Sequence, residues 1–238
     1  MRRLTAFAVA CLWLLGWPLH TQASATLMGT RLFHYCQQQK QTLTFLADYV
    51  KSPSVLTTWV DEAPHQLLPD QAQAPFMVLP AQFKMQPKTP QKAVLLYTGT
   101  PQTCPKTQEA VYYFYFLETP LKALSKPDTM QYLSMVKLFL RPKHLNNNRL
   151  GGGTKLSIAL DAPHAQLLIR NPTPYHVTVS RWQSGQKLLA EPVMVAPNST
   201  QRHPLSRTAA LKIGQTITLT TLDDFGQPHR SQHQLTPP

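Results

Sequence analysis

The sequence predicts an all-β protein made of sandwiches, and three observations predict it. Ten short runs are rich in Val, Ile, Leu, Thr and aromatic residues: 42–50, 55–60, 75–80, 92–99, 110–118, 136–142, 154–160, 165–171, 175–182 and 215–222. Most of the 22 prolines fall between these runs, among Gly, Asn and Gln clusters, where a missing backbone N–H does least harm to a sheet. No segment keeps a 3.6-residue apolar period for long, and the best helix candidate, residues 121–133, is interrupted by Pro127. Short strands separated by turn residues at this spacing suit sandwiches.

Taken from the N terminus, residues 1–25 read as a secretory leader. Arg2 and Arg3 supply a positive start, residues 4–17 an apolar stretch, and Ala23-Ser24-Ala25 a small-residue cleavage site, so cleavage is expected after Ala23 or Ala25. The apolar stretch is too short for a transmembrane helix, no later segment approaches the required length, and the expectation is a soluble exported product. Cys11 lies inside the leader's apolar stretch, a poor context for lipidation. The strands that follow are broken at residues 143–154, KHLNNNRLGGGT, which are polar and Gly-rich and stand between Pro142 and a fresh set of strands. This predicts two domains, 26–143 and 144–238, each of a size for one immunoglobulin-like sandwich.

Composition narrows the function. Lys and Arg number 23 against 11 Asp and Glu; without the leader arginines the balance is 21 to 11, a net +10. That excess suits nucleic acid, an anionic surface or an acidic partner, but the cations are scattered and export disfavours nucleic acid. Cys36 and Cys104 are an even pair in an oxidising compartment and read as one disulfide, with two buried thiols or a metal pair as the alternatives. No metal or cofactor is expected. His229 and His233 stand four apart without a helical pattern to join them, and GGGTK lacks the phosphate-loop spacing. No nucleophile–base motif and no zinc-protease motif occurs, so catalysis has no support. Asn198-Ser199-Thr200 matches a glycosylation acceptor, which matters only in a eukaryotic secretory route. Asp223-Asp224-Phe225-Gly226 reads as a turn.

The segment richest in chemistry is VKLFLRP, 136–142. As a strand it turns Val136, Leu138 and Leu140 to a core and Lys137, Phe139 and Arg141 to the other face. Two cations beside an aromatic, in a segment apolar enough to be buried, require anions from the chain or from a ligand. The plainer alternative is a solvated face of an edge strand.

GTR (29–31), APFMVLP (74–80), EAVYYFYFLETP (109–120), VKLFLRP (136–142), RNPTPYHVTV (170–179) and DDFGQP (223–228) occur in this order over nearly the whole exported chain. Together they resemble the periplasmic chaperones of the chaperone–usher pilus pathway, the PapD-like family. The resemblance implies two immunoglobulin-like domains in a boomerang arrangement, no enzymatic activity, and pilin subunits and an outer-membrane usher as partners. Such a chaperone lends a strand to a subunit whose own sandwich lacks one; donor-strand complementation of pilins is itself a standing example of strand addition to a sheet edge.

Residue by residue, the resemblance assigns Arg31 and Lys137 to the anchor for the subunit's C-terminal carboxylate. It assigns Glu109, Arg141 and Asp224 to an interdomain salt bridge, with Asp223 as the competitor of Asp224. The donor strand lies upstream of Lys137. Matched without gaps, the resemblance favours Met130 and Tyr132, whose parity is shifted by one from Lys137; strict alternation gives Leu133 and Met135, and a bulge or twist would decide. The connection before this strand is short, as in the branch that serves rod-type pili. Met and Tyr stand where large aliphatics are usual, and the cysteine pair is not a general family feature. In such a sandwich Cys36 and Cys104 would bridge two turns at one end. An uncovered apolar edge also implies self-association in the absence of subunit. The rival reading is an exported basic module that binds polyanions, weakly dependent on any single residue and sensitive to salt.

Overall fold

A computed structural model describes residues 25–50, 52–64, 69–121, 130–145, 151–206 and 209–238. The first sandwich runs from β1 (Thr26–Leu27) through β2 (Arg31–Tyr35), β3 (Lys40–Leu46), β4 (Ser54–Asp61), β5 (Phe76–Leu79), β6 (Gln82–Met85), β7 (Gln91–Tyr97) and β8 (Ala110–Pro120) to β9 (Tyr132–Arg141). One sheet has the order β1-β3-β7-β5, the other β2-β9-β8-β4-β6. All pairings in this sandwich are antiparallel except β2 with β9, which run parallel. Phe45, Leu56, Phe114, Phe116 and Leu138 fill the space between the sheets. The alternation is the expected one: even-numbered Val136 and Leu138 pack on this core.

The second sandwich holds β10 (Ser157–Asp161), β11 (Gln166–Asn171), β12 (Val177–Ser184), β13 (Lys187–Leu188), β14 (Val193–Val195), β15 (Ser199–Pro204), β16 (Thr216–Leu222) and β17 (Pro228–Gln234). Its sheets are β10-β11-β15 and β13-β12-β16-β17, with β14 also on β12. Trp182, Ile169, Val179 and Leu219 form its core. The Gly-rich boundary has a packing reason. Gly151 has φ +64, and a Cβ there would lie 3.0 Å from the Leu222 carbonyl; one on Gly153 would lie 2.6 Å from Thr221 Oγ1. Any larger residue would lift the incoming chain off β16.

Two expectations are corrected. Tyr132 and Leu133, the end of the helix candidate, lie in β9, because cross-strand pairing with Glu118 and Leu117 of β8 prevails over weak helical periodicity; residues 122–129 of that candidate fall outside the described residues. The segment with His229 and His233, which is polar and lies outside the ten strand runs read from the sequence, is strand β17, held by a continuous ladder to β16. Residues 1–24 of the expected leader also lie outside the described residues. Among the described residues no helix is long and apolar enough to cross a membrane.

Candidate binding cleft between the two sandwiches

Arg141 occupies the centre of the contact between the sandwiches. It ends β9 on the face shared with Lys137 and Phe139, and it is 1% exposed. Its Nε donates to Glu109 Oε2 at 2.7 Å, and its two terminal nitrogens donate to both oxygens of Asp224 at 2.6 and 2.8 Å. Its guanidinium lies over Phe33 at 4.3 Å and Tyr175 at 5.0 Å. Burial disfavours its charge, but Asp224 and Glu109 outweigh that and raise its pKa. The alternative of a solvated face therefore fails at this end: Phe139 and Arg141 are sealed against the second sandwich.

Asp223 and Asp224 divide the work of the turn. Asp223 Oδ1 accepts from the N–H groups of Phe225 and Gln227, both at 2.8 Å, and Oδ2 faces His229 Nε2 at 2.9 Å. Burial alone would raise the Asp223 pKa; the bonds to His229, Gln227 and Phe225 lower it on balance. With Asp223 so engaged, Asp224 projects to Arg141. Gly226 closes the turn at φ +76, and a Cβ there would lie 2.5 Å from Thr30 Oγ1, so DDFG and GTR meet across the boundary.

The NPTPY segment is shaped by Asn171, which is fully buried. Its Nδ2 donates to the carbonyls of Tyr175 and Ala196 at 2.7 and 2.9 Å, and its Oδ1 accepts from the Thr173 N–H and hydroxyl. The loop thus fixed presents Pro174, Tyr175 and His176 to the first sandwich. The Glu109 N–H donates to the Pro174 carbonyl at 3.0 Å, and Glu109 Oε1 accepts from the His176 N–H and lies 3.0 Å from His176 Nδ1. Phe33, Tyr175 and His176 were not singled out in the sequence. The aromatic residues carry no distinguishing pattern, and His176 differs from the other dispersed histidines only in adjoining the PTPY motif.

Above this network lie two cations. Arg31 on β2 and Lys137 on β9 are register partners in the parallel pair. Arg31 Nε is buried and has no hydrogen-bond partner, and neither residue has a carboxylate in ion-pair contact among the described residues. Burial lowers the Arg31 pKa, opposed by Asp224, Asp223 and Glu109. Burial and the neighbouring Arg31 charge lower that of Lys137. The pair is short of negative charge.

Upstream of Lys137, β9 is an edge. It pairs with β8 from Tyr132 to Leu140, whereas β2 covers only Lys137 to Arg141; residues 133–136 have no second strand beside them among the described residues. The ladder shows no bulge, so Tyr132 shares the core-side face of Val136 and Leu138, and Leu133 and Met135 share the Lys137 face. Met130, Leu133 and Met135 are 71, 42 and 43% exposed. At the far end, Cys36, just after β2, is disulfide-bonded to Cys104 in the β7–β8 loop, with Cα atoms 5.9 Å apart. Among the described residues no group of His, Cys, Asp or Glu could hold a metal ion.

Comparison with known proteins agrees with this geometry. Residues 24–146 match the family described as pili and flagellar-assembly chaperone, PapD N-terminal domain, and residues 153–233 match pili assembly chaperone PapD, C-terminal domain. The chain is 31% identical over 206 residues to the chaperone protein MrkB of Klebsiella pneumoniae, covering 83% of this chain and 85% of that one. It is 28% identical over 234 residues to the chaperone protein FimB/FhaD of Bordetella pertussis, covering 94 and 93%. Among solved structures, the SafB chaperone in complex with the SafA pilin of Salmonella enterica is similar in fold, with a TM-score of 0.73 and 19% identity over 89% of this chain and 96% of that chain.

Proposed function

We propose, since this chain belongs to the PapD family of pilus-assembly chaperones, that it captures pilin subunits in the periplasm by lending them β9 and delivers them to an outer-membrane usher. The observation that carries this reading is the pair Arg31 and Lys137: adjacent, half-buried cations on neighbouring strands, without a carboxylate in contact among the described residues. A subunit's C-terminal carboxylate supplies the missing charge. Charge-assisted bonds to it hold the subunit and set its register on the free edge that begins one residue upstream. The edge offers Met130 and Tyr132 on one parity and Leu133 and Met135 on the other; the gapless match to the family favours the first pair as the side chains that enter the subunit.

Glu109, Arg141 and Asp224 orient the two domains, taken as 26–143 and 144–238, and so keep the cleft open at a fixed angle. No step needs a cofactor or makes or breaks a covalent bond. The leader directs export. Ala25 is 2% exposed and its N–H donates to Glu118 Oε2 at 2.7 Å, which favours cleavage after Ala23 over cleavage after Ala25. In the absence of subunit, the free edge pairs with another copy of itself.

The test is recovery of a subunit from the periplasm by tagged chaperone, identified by mass spectrometry, in wild type and Lys137→Ala. A small β-rich subunit held by wild type through a high-salt wash and lost from the variant is the expected outcome. Equal recovery by both would remove the anchor. A salt-labile, sequence-tolerant association would favour polyanion binding instead.

A further inference from the structure

The disulfide and the excess of cations have no part in the reading above, and they meet in one place. An open groove of about 730 Å³ lies at the end of the first sandwich where β2 and β9 finish. Three segments wall it: the turn after β2, the β7–β8 loop and the chain leaving β9. The Cys36–Cys104 bond joins the first wall to the second, and the Cys36 N–H joins the first to the third by donating to the Arg141 carbonyl at 3.0 Å. Within the loop, the Cys104 N–H donates to the Thr100 carbonyl at 3.2 Å and the Thr100 N–H to Thr103 Oγ1 at 2.9 Å. In the third wall, the N–H of buried Leu145 donates to the Pro142 carbonyl at 3.1 Å. The groove is preformed, so little ordering opposes an occupant.

Its floor is apolar, made by the disulfide with Pro101, Pro105 and Pro142. Prolines offer no N–H, so an occupant cannot extend a β-ladder from them as it can from β9. Its rim is cationic. Lys106 and Lys143 are exposed, one on the loop and one on the chain after β9, and no Asp or Glu lines the groove among the described residues. The Lys106 ammonium donates to the Pro101 carbonyl, which holds the charge at the rim with donors to spare. The volume lies in the range of preformed ligand pockets, roughly 300–1,000 Å³.

Charge selects the occupant. A second copy of the chain brings its own excess of cations, a net +10 without the leader arginines, and is repelled. An acidic segment complements both parts of the groove: its carboxylates meet the two lysines, and an apolar side chain among them covers the prolines and the disulfide. We propose that this groove is a docking site for an acidic, extended segment of a partner protein, separate from the free edge of β9 and independent of the Arg31–Lys137 pair. The cysteine pair then has a role beyond stability, since it fixes two walls of the site.

The experiment titrates the mature wild-type chain with the peptide Asp-Glu-Leu-Glu-Asp, acetylated and amidated so that it has no terminal carboxylate, and with its uncharged counterpart Asn-Gln-Leu-Gln-Asn. The amide NMR signals of Cys36, Cys104, Lys106 and Lys143 are expected to shift with the acidic peptide, and those of Leu133, Met135 and Lys137 to stay in place. The uncharged peptide is expected to bind at least about tenfold more weakly, and a Lys106→Glu, Lys143→Glu double variant to bind the acidic peptide more weakly by a similar factor. Both lysines are exposed, and an unchanged melting temperature shows that the variant is folded. No shift at any of the four residues, equal binding of the two peptides, or equal binding by wild type and folded variant would overturn the proposal. So would a heparin tetrasaccharide that matches the acidic peptide at the same residues, since the lysines would then serve general polyanion binding.

Discussion

Arg141 shows how one residue joins two sandwiches. A guanidinium has a planar fork of donors, and here each part of the fork has an acceptor: Glu109 on its own sandwich and both oxygens of Asp224 on the other. With the residue 1% exposed, the charge is tolerable only while those acceptors stay. Asp224→Ala strands the cation, and an urea titration should show a loss of about 3–5 kcal/mol, the usual cost of breaking a buried pair on one side; an unchanged midpoint would mean that water replaces the aspartate without penalty. The three partners were legible in the sequence because Glu109, Arg141 and Asp224 each stand inside a distinctive motif. Their geometry was not. Phe33 and Tyr175, whose rings both lie against the guanidinium, are aromatic residues among many, and His176 meets Glu109 from the loop that Asn171 folds. His34 is a different kind of histidine, fully buried against Phe76 and bonded to the Gln38 carbonyl and Gln41. Burial lowers its pKa against those two bonds, so the unfolded chain takes up a proton more readily than the native one. Stability present above about pH 6.5 is therefore expected to fall as pH drops below it. Melting temperatures at pH 7.5 and 5 read this directly, and His34→Gln should flatten the slope.

The element that matters most is β9, and its alternation was legible while its two edges were not. Periodicity in VKLFLRP separates Leu138 from Lys137, and the ladder to β8 preserves that separation up to Tyr132. What the sequence could not reveal is that β2 stops at Lys137, since this depends on where a distant parallel partner begins. The same limit explains the overlooked strands. β17, PHRSQHQ, has no apolar residue, alternates between exposed and half-buried, and is a strand only because β16 offers it a ladder. The open matter of parity can be tested in pairs. Asp placed at Met130 or Tyr132 should abolish subunit recovery if that face fills the subunit, with Asp at Leu133 or Met135 losing much less. The reverse ranking would assign the Lys137 face to the subunit. Circular dichroism separates either result from misfolding.

At the scale of the whole molecule, the two-sandwich architecture was the most legible feature, because strand runs, prolines and the Gly-rich break all agree on it. The break has its own physical reason in the close approach of Gly151 and Gly153 to β16. The disulfide closes 68 residues of the first sandwich and is expected to contribute about 4 kcal/mol by restricting the unfolded chain. A Cys36→Ser, Cys104→Ser double variant measured by denaturant titration checks that figure, and a loss below about 1 kcal/mol would show that the loop is already constrained without it. The parallel pairing of β2 with β9 carries a further consequence. Arg31 sits near the beginning of the first sandwich and Lys137 on its final strand, so nearly all the chain between them must be in place before the two cations become neighbours. A half-finished chaperone owns no doubly charged seat. With the proposed anchor at this pair, the molecule's readiness to take a client is tied to its own completion, and the seam where the fold closes serves as its licence to work.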